Sequence, residues 1–259
     1  YKGHVDAMYK YGNKLFSLSE NNQENKKLSI AFLKKATDVG HLESMFSYGM
    51  IINDGNGVPL DHVKSTKLFK IAAKRGNLDA MVEYGTNLYT GKGIETDQDD
   101  EGAYIHNLNE AMKYFTLAAD QNSKEAQSRL GLIYYEIHDI DKAIHYLTLA
   151  AEQNDLDALY NLGGLYSGEN KDFPFDLDKC IHYLTLAADK GFLPAQNKLG
   201  LIYSEGLITP KDKTKSIHYL KMASDRNDAN AQFNLGSIYF ESGEIDKMIY
   251  YFSLAANQN

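Results

Sequence analysis

The sequence predicts an all-α solenoid built from seven helix–turn–helix repeats, and three observations predict it. A glycine preceded by Leu or Tyr recurs at Gly12, Gly49, Gly85, Gly131, Gly163, Gly200 and Gly236, at spacings of 37, 36, 46, 32, 37 and 36 residues. Self-similarity at such a period marks a stacked supersecondary unit. Around each glycine, small and large residues alternate with helical spacing. A second helical segment then ends in paired small residues followed by Gly or Asn.

The first repeat carries Ala7, Tyr11-Gly12 and Leu15, then Ala36-Thr37 and Gly40. The second carries Ser44, Tyr48-Gly49 and Ile52, then Ala72-Ala73 and Gly76. The third has Ala80, Tyr84-Gly85 and Leu88, then Ala118-Ala119 and Asn122. The fourth has Ala126, Leu130-Gly131 and Tyr134, then the clear second helix 142–151 and Asn154. The fifth runs Ala158, Leu162-Gly163, Tyr166, Ala187-Ala188 and Gly191, and the sixth Ala195, Leu199-Gly200, Tyr203, Ala223-Ser224 and Asn227. The seventh has Ala231, Leu235-Gly236 and Tyr239, then Ala255-Ala256. Residues at offsets of four, one and three form one stripe of a helix. Gly and Asn tolerate the left-handed conformation of a helix C-cap. The expected organisation is one domain over 1–259, with repeats near 1–40, 41–76, 77–122, 123–154, 155–191, 192–227 and 228–259.

Seven glycines inside helices need a reason, because each costs roughly 1 kcal/mol relative to alanine. Helix axes pack about 8–10 Å apart, and the lower end requires Ala or Gly at the contact. The glycines are therefore read as close-approach points. Gly163→Leu is expected to destabilise by ~1–3 kcal/mol through overpacking.

Composition narrows the function classes. With 43% hydrophobic and 24% charged residues, the chain resembles ordinary globular proteins. A net charge of -8 argues against general binding to nucleic-acid phosphates. Its apolar runs fall short of the ~20 residues that cross a bilayer. No leader pattern precedes the first helix. One cysteine, Cys180, rules out a disulfide framework within the chain and fits a reducing, cytoplasmic setting.

The repeats resemble the Sel-1-like repeat, a relative of the tetratricopeptide repeat. The resemblance is fullest in Tyr48-Gly49, Gly55, Gly57-Val58, Asp61, Leu68-Phe69, Ala72-Ala73 and Gly76, and in Ala80, Tyr84-Gly85, Gly91, Gly93-Ile94, Asp97, Tyr114-Phe115 and Ala118-Ala119. It spans essentially the whole chain. The fourth repeat lacks the G-x-G loop; it and the seventh look like plain tetratricopeptide units. No Trp occupies the second helix, and the cysteine pair of secreted bacterial members is missing. The resemblance implies a right-handed α/α superhelix that serves as an adaptor or scaffold for protein complexes.

Candidate chemistry is sparse. His145, His182 and His218 share the phrase Ile-His-Tyr-Leu, but equivalent positions of adjacent repeats lie on the order of 10–20 Å apart. One zinc ion needs ligand bonds of about 2.0–2.1 Å, so these three cannot share it. The acidic stretch from Asp97 to Gly102 echoes a calcium loop in outline. Its twelfth position falls on Leu108, which cannot coordinate, and the stretch reads as a solvated insertion. Cys180 aligns with Ala143 and Ala111 at a packing position, and His182 two residues on points elsewhere. No nucleophile elbow or P-loop appears. The chain is expected to be no enzyme and to take no cofactor and no metal.

The residue two before each glycine lies beside the inward stripe and is expected to face a groove lined by the first helices. Late in the chain these are Arg129, Asn161, Lys198 and Asn234. Tyr160, Asn197 and Phe233 lie next to them. Under the resemblance, such donors suggest a site for an acidic or C-terminal peptide, and aromatics beside donors suit a peptide or partner helix. The leading reading is a protein-interaction scaffold without nucleic-acid or membrane partners. The alternatives are the targeting or regulatory arm of an enzyme whose catalytic domain lies elsewhere, or a pathogen effector that engages host proteins.

Overall fold

The computed structural model describes residues 2–20, 22–94, 101–168, 175–206 and 208–258. Among the described residues the chain forms fourteen α-helices and no strand. In order they are α1 (Lys2–Ser17), α2 (Gln23–Asp38), α3 (Leu42–Asn53), α4 (His62–Lys74), α5 (Leu78–Thr90), α6 (Glu101–Ala119) and α7 (Lys124–Glu136). There follow α8 (Ile140–Glu152), α9 (Leu156–Leu165), α10 (Leu177–Asp189), α11 (Leu193–Glu205), α12 (Lys213–Ser224), α13 (Ala229–Glu241) and α14 (Ile245–Ala256). Contacts divide the chain into two compact units, 1–130 and 131–259. In each, consecutive helices pair as hairpins, and the second helix of one repeat packs on the first helix of the next.

The recurrent glycines are the points of closest approach within the hairpins. A Cβ added at any of the seven would lie within 3.0 Å of a large side chain on the second helix. The partners are Leu33, Phe69, Phe115, Leu147, Leu184, Leu220 and Phe252 in chain order. Six of these side chains, all but Phe252, are sealed from solvent. A leucine or phenylalanine therefore fills the space of each missing methyl, and such wedges recur through the core of each unit.

The hairpin ends follow local chemistry. Asn77, Asp155 and Asp228 cap α5, α9 and α13, each accepting from the backbone N–H three residues on. Asp61, Asp139, Asp176 and Asp212 do the same for second helices. Such caps satisfy donors that the helix itself leaves unpaired. The six expected C-terminal stops, Gly40, Gly76, Asn122, Asn154, Gly191 and Asn227, all take positive φ, between 60° and 93°.

Two devices were not legible beforehand. Ser29 and Ser216, at the small position of their second helices, donate their hydroxyls to the carbonyls of Gly12 and Gly200 at 2.7 Å. Ser65, at the same position of α4, instead donates to Asn53 Oδ1 and the His62 carbonyl, and Cys180 occupies the position in α10, fully buried. In the second unit, a tyrosine three residues after each glycine stacks flat on a tyrosine of the second helix. The pairs are Tyr134–Tyr146, Tyr166–Tyr183, Tyr203–Tyr219 and Tyr239–Tyr251, with interplanar angles of 3°, 14°, 7° and 9°. Lys142, Lys179, Lys215 and Lys247 each place Nζ 4.8–5.0 Å from the first ring's centroid. Such cation–π contacts contribute about 0.5–1 kcal/mol at exposed sites.

Candidate partner-binding site

The site is assembled from three first helices of the second unit, α9, α11 and α13. A cavity of about 620 Å³ opens between them. Helix α9 contributes Tyr160, and α11 contributes Leu193, Pro194, Asn197, Lys198 and Leu201. The start of α13 contributes Asp228, Asn230, Phe233 and Asn234. Five of the seven residues expected from the repeat register therefore converge: Tyr160, Asn197, Lys198, Phe233 and Asn234. Asn161, one residue beyond Tyr160, is half-buried on α9 and does not line the cavity. Arg129 is exposed on α7 and falls in the first unit, so it is a separate feature.

The walls have distinct chemistry. Phe233 is 58% exposed although large and apolar, and its ring packs obliquely on Phe252 with centroids 5.5 Å apart. Tyr160 meets Phe192 edge to face at 5.8 Å. Between these aromatics, Asn197 donates through Nδ2 to Asp228 Oδ1 at 3.0 Å, and the same oxygen accepts from the Ala231 N–H at 2.7 Å. Asp228 is thus fixed by its capping duty, and Asn197 by Asp228. Asn197 Oδ1 is sealed inside, so this side chain shapes the wall. Lys198 and Asn234 add donor-bearing side chains to the lining.

A second cavity of about 500 Å³ adjoins the first and shares Leu193 and Pro194 with it. Its other lining residues are Leu156, Phe192, Gly191, Lys190 and Arg226. The register of the first helices could not reveal it, because Lys190 and Arg226 belong to the ends of second helices. The available signal was their common place, immediately before the left-handed residues Gly191 and Asn227. Arg226 reaches back one repeat and donates to the carbonyl of Gly191. Arg75 does the same to Gly40 in the first unit, at 2.7 Å.

In the first unit the residue two before Gly85, on α5, is the half-buried Glu83. Burial raises its pKa, opposed by the positive charges of Lys92 and Arg129.

The histidine register lies exposed on the second helices, and each of His145, His182 and His218 sits edge to face on the following tyrosine, with centroids 5.1, 5.4 and 5.1 Å apart. Among the described residues no group of His, Cys, Asp or Glu is arranged to hold a metal ion. No described helix is long and apolar enough to cross a membrane. The acidic stretch Asp97 to Asp100 lies outside the described residues.

Wedge-packed helical hairpins in series, with an exposed aromatic and donors gathered along their first helices, define a helical-repeat scaffold. The chain belongs to the Sel1 repeat family: the family's model matches residues 5–41, 42–77, 78–123, 124–155, 156–192, 193–228 and 229–259. A Sel1 repeat protein from Oxalobacter formigenes has a similar solved structure, with a TM-score of 0.76 and 25% identity over 97% of this chain and 100% of that one. A protective antigen of uropathogenic Escherichia coli with an SLR fold matches at a TM-score of 0.58 and 20% identity, over 98% of this chain and 62% of that one. An immunity protein of Pseudomonas aeruginosa matches at 0.53 and 17%, over 88% and 83%. No curated protein matches the sequence. Sel1 repeats place the chain among protein-interaction scaffolds.

Proposed function

We propose that this chain is a non-enzymatic adaptor that binds a peptide or helix of another protein along the first helices of its second unit. The observation that carries the reading is the cavity in which five register residues meet, with Phe233 exposed beside Lys198 and Asn234. Exposed aromatics next to polar anchors are the usual composition of an interaction hot spot. The favoured partner is an acidic or C-terminal peptide. Asn161 flanks this site, and Arg129 of the first unit is a separate candidate contact.

The test starts from a peptide selected on the folded chain from a displayed library. Its affinity is then measured by fluorescence polarisation. Phe233→Ala combined with Lys198→Ala should weaken binding about tenfold or more, as loss of a hot-spot residue does, with the far-ultraviolet spectrum unchanged. Affinity equal to that of the parent chain removes the groove as the binding site. Arg129→Ala and Asn161→Ala, measured singly, decide whether those two side chains belong to it.

A further inference from the structure

We propose that the second unit grips the side-chain carboxylates of an acidic peptide segment at two places, with Lys190 and Arg226 as the principal anchor. The proposal rests on the groove reading above and extends the site beyond the residues that the repeat register supplies.

Three observations support it. The two cavities adjoin, with Leu193 and Pro194 lining both, so an extended ligand can reach from one to the other. Their ionisable lining residues are Lys190 and Arg226 in one, and Lys198 and Asp228 in the other. Asp228, although it accepts from Ala231 N–H and Asn197, keeps its negative charge, so three cations stand against one anion. The lining is therefore cationic on a chain whose net charge is -8. The geometry of Arg226 is also suited to the task. One of its N–H groups is held by the Gly191 carbonyl, which fixes the guanidinium at the cavity wall. A guanidinium carries five N–H donors in a rigid fork, so a fixed one can still offer a planar pair to a carboxylate.

The two cavities also select the source of the carboxylates. A chain terminus has a single carboxylate and satisfies one cationic position. Lys190 and Arg226 line one cavity and Lys198 the other, so full complementarity needs at least two acidic groups along the ligand. Between them, Leu193, Pro194 and Phe233 offer apolar surface. The expected ligand has acidic residues on both sides of an aromatic or aliphatic one. Charge complementarity of this kind also predicts affinity that falls as salt screens the pairing.

A dodecapeptide library is selected against the whole chain. The recovered peptide is synthesised with a fluorescent label and titrated against the parent, Lys190→Glu, and Lys190→Glu combined with Arg226→Glu. Selected peptides should carry two or more Asp or Glu around an apolar residue. The double reversal should weaken binding about tenfold or more, by analogy with removal of a charge-assisted contact. Amidating the peptide's C-terminus should leave affinity within about twofold of the free acid. Peptides without acidic excess, affinity unmoved by the reversals, or a tenfold loss on amidation would overturn the proposal. Because Arg226 also ties to Gly191, circular dichroism accompanies each titration, and Lys190→Glu alone decides if the double variant fails to fold. If Phe233→Ala with Lys198→Ala weakens binding but the reversals do not, the groove stands and this anchor falls. If no peptide is recovered, both fall.

Discussion

Replacing Gly163 by alanine adds one methyl group in the last turn of α9, and its neighbour Gly164 supplies the control within the same turn. The new Cβ at position 163 would lie 2.5 Å from Leu184 Cγ and 2.8 Å from Cδ2, with the Cys180 carbonyl at 3.4 Å. Leu184 is 0% exposed, so it has no open space to rotate into. At position 164 a Cβ meets nothing within 4 Å. Both substitutions gain helix propensity, up to about 1 kcal/mol each in the last turn of α9. Only Gly163→Ala incurs overpacking, about 1–3 kcal/mol. Gly164→Ala should therefore stabilise by up to about 1 kcal/mol, and Gly163→Ala should be neutral to destabilising by about 2 kcal/mol. Urea unfolding followed by far-ultraviolet circular dichroism measures both, provided the slope of the transition is unchanged. A mechanistic check is available in Leu184→Ala, which alone costs about 2–5 kcal/mol and should cost less once Gly163 carries a methyl. Stabilisation by Gly163→Ala equal to that of Gly164→Ala would refute the wedge as the reason for the glycine.

Further expectations follow from other positions. Asp155→Ala removes the acceptor that holds Ala158 N–H at 2.8 Å; it should destabilise by about 0.5–2 kcal/mol, and Asp155→Asn, measured by the same urea titration, should restore most of the loss. Cys180, buried at the small position of α10, should react with a thiol reagent only as urea unfolds the chain. Cys180→Ser should remain close to the parent in stability, because Ser216 at the equivalent place donates to the carbonyl of Gly200; a large loss would show that the position does not tolerate a hydroxyl here. Glu83 has its folded pKa raised above the ordinary 4.5, first by burial, with Lys92 and Arg129 opposing. The folded state then holds this proton more tightly than the unfolded chain. Its contribution is fully present below 4.5 and is lost as pH rises through the raised value. Glu83→Gln should therefore raise the melting temperature at neutral pH, and the gain should shrink below 4.5. A gain that persists unchanged in acid would assign it to something other than the charge.

The cavity also shows how far a periodic pattern reaches. Tyr160 and Asn161 are adjacent in sequence and were expected to share one face, yet only Tyr160 lines the cavity. Consecutive residues of a helix point about 100° apart, so where the groove edge falls between them depends on how closely α11 lies alongside. Asn197 and Lys198, displaced by the same single step, both line the cavity, and Asn197 is held there by its bond to Asp228 at the start of α13. The second cavity was hidden for a different reason: Lys190, Arg226 and Leu193 come from three helix ends, and no spacing within one helix links them.

Sequence alone determined the number of repeats, the pairing of helices, the wedge glycines and the left-handed stops. Each of these repeats along the chain as a fixed local pattern, in which 3.6-residue geometry and the steric demands of Gly and Asn act directly. Tertiary structure decided which aromatics stack, which donors share a cavity, and that Arg226 reaches back to Gly191. Those outcomes depend on side chains from different helices, within a repeat or one repeat apart, meeting across helix interfaces, where small differences in packing select the neighbours.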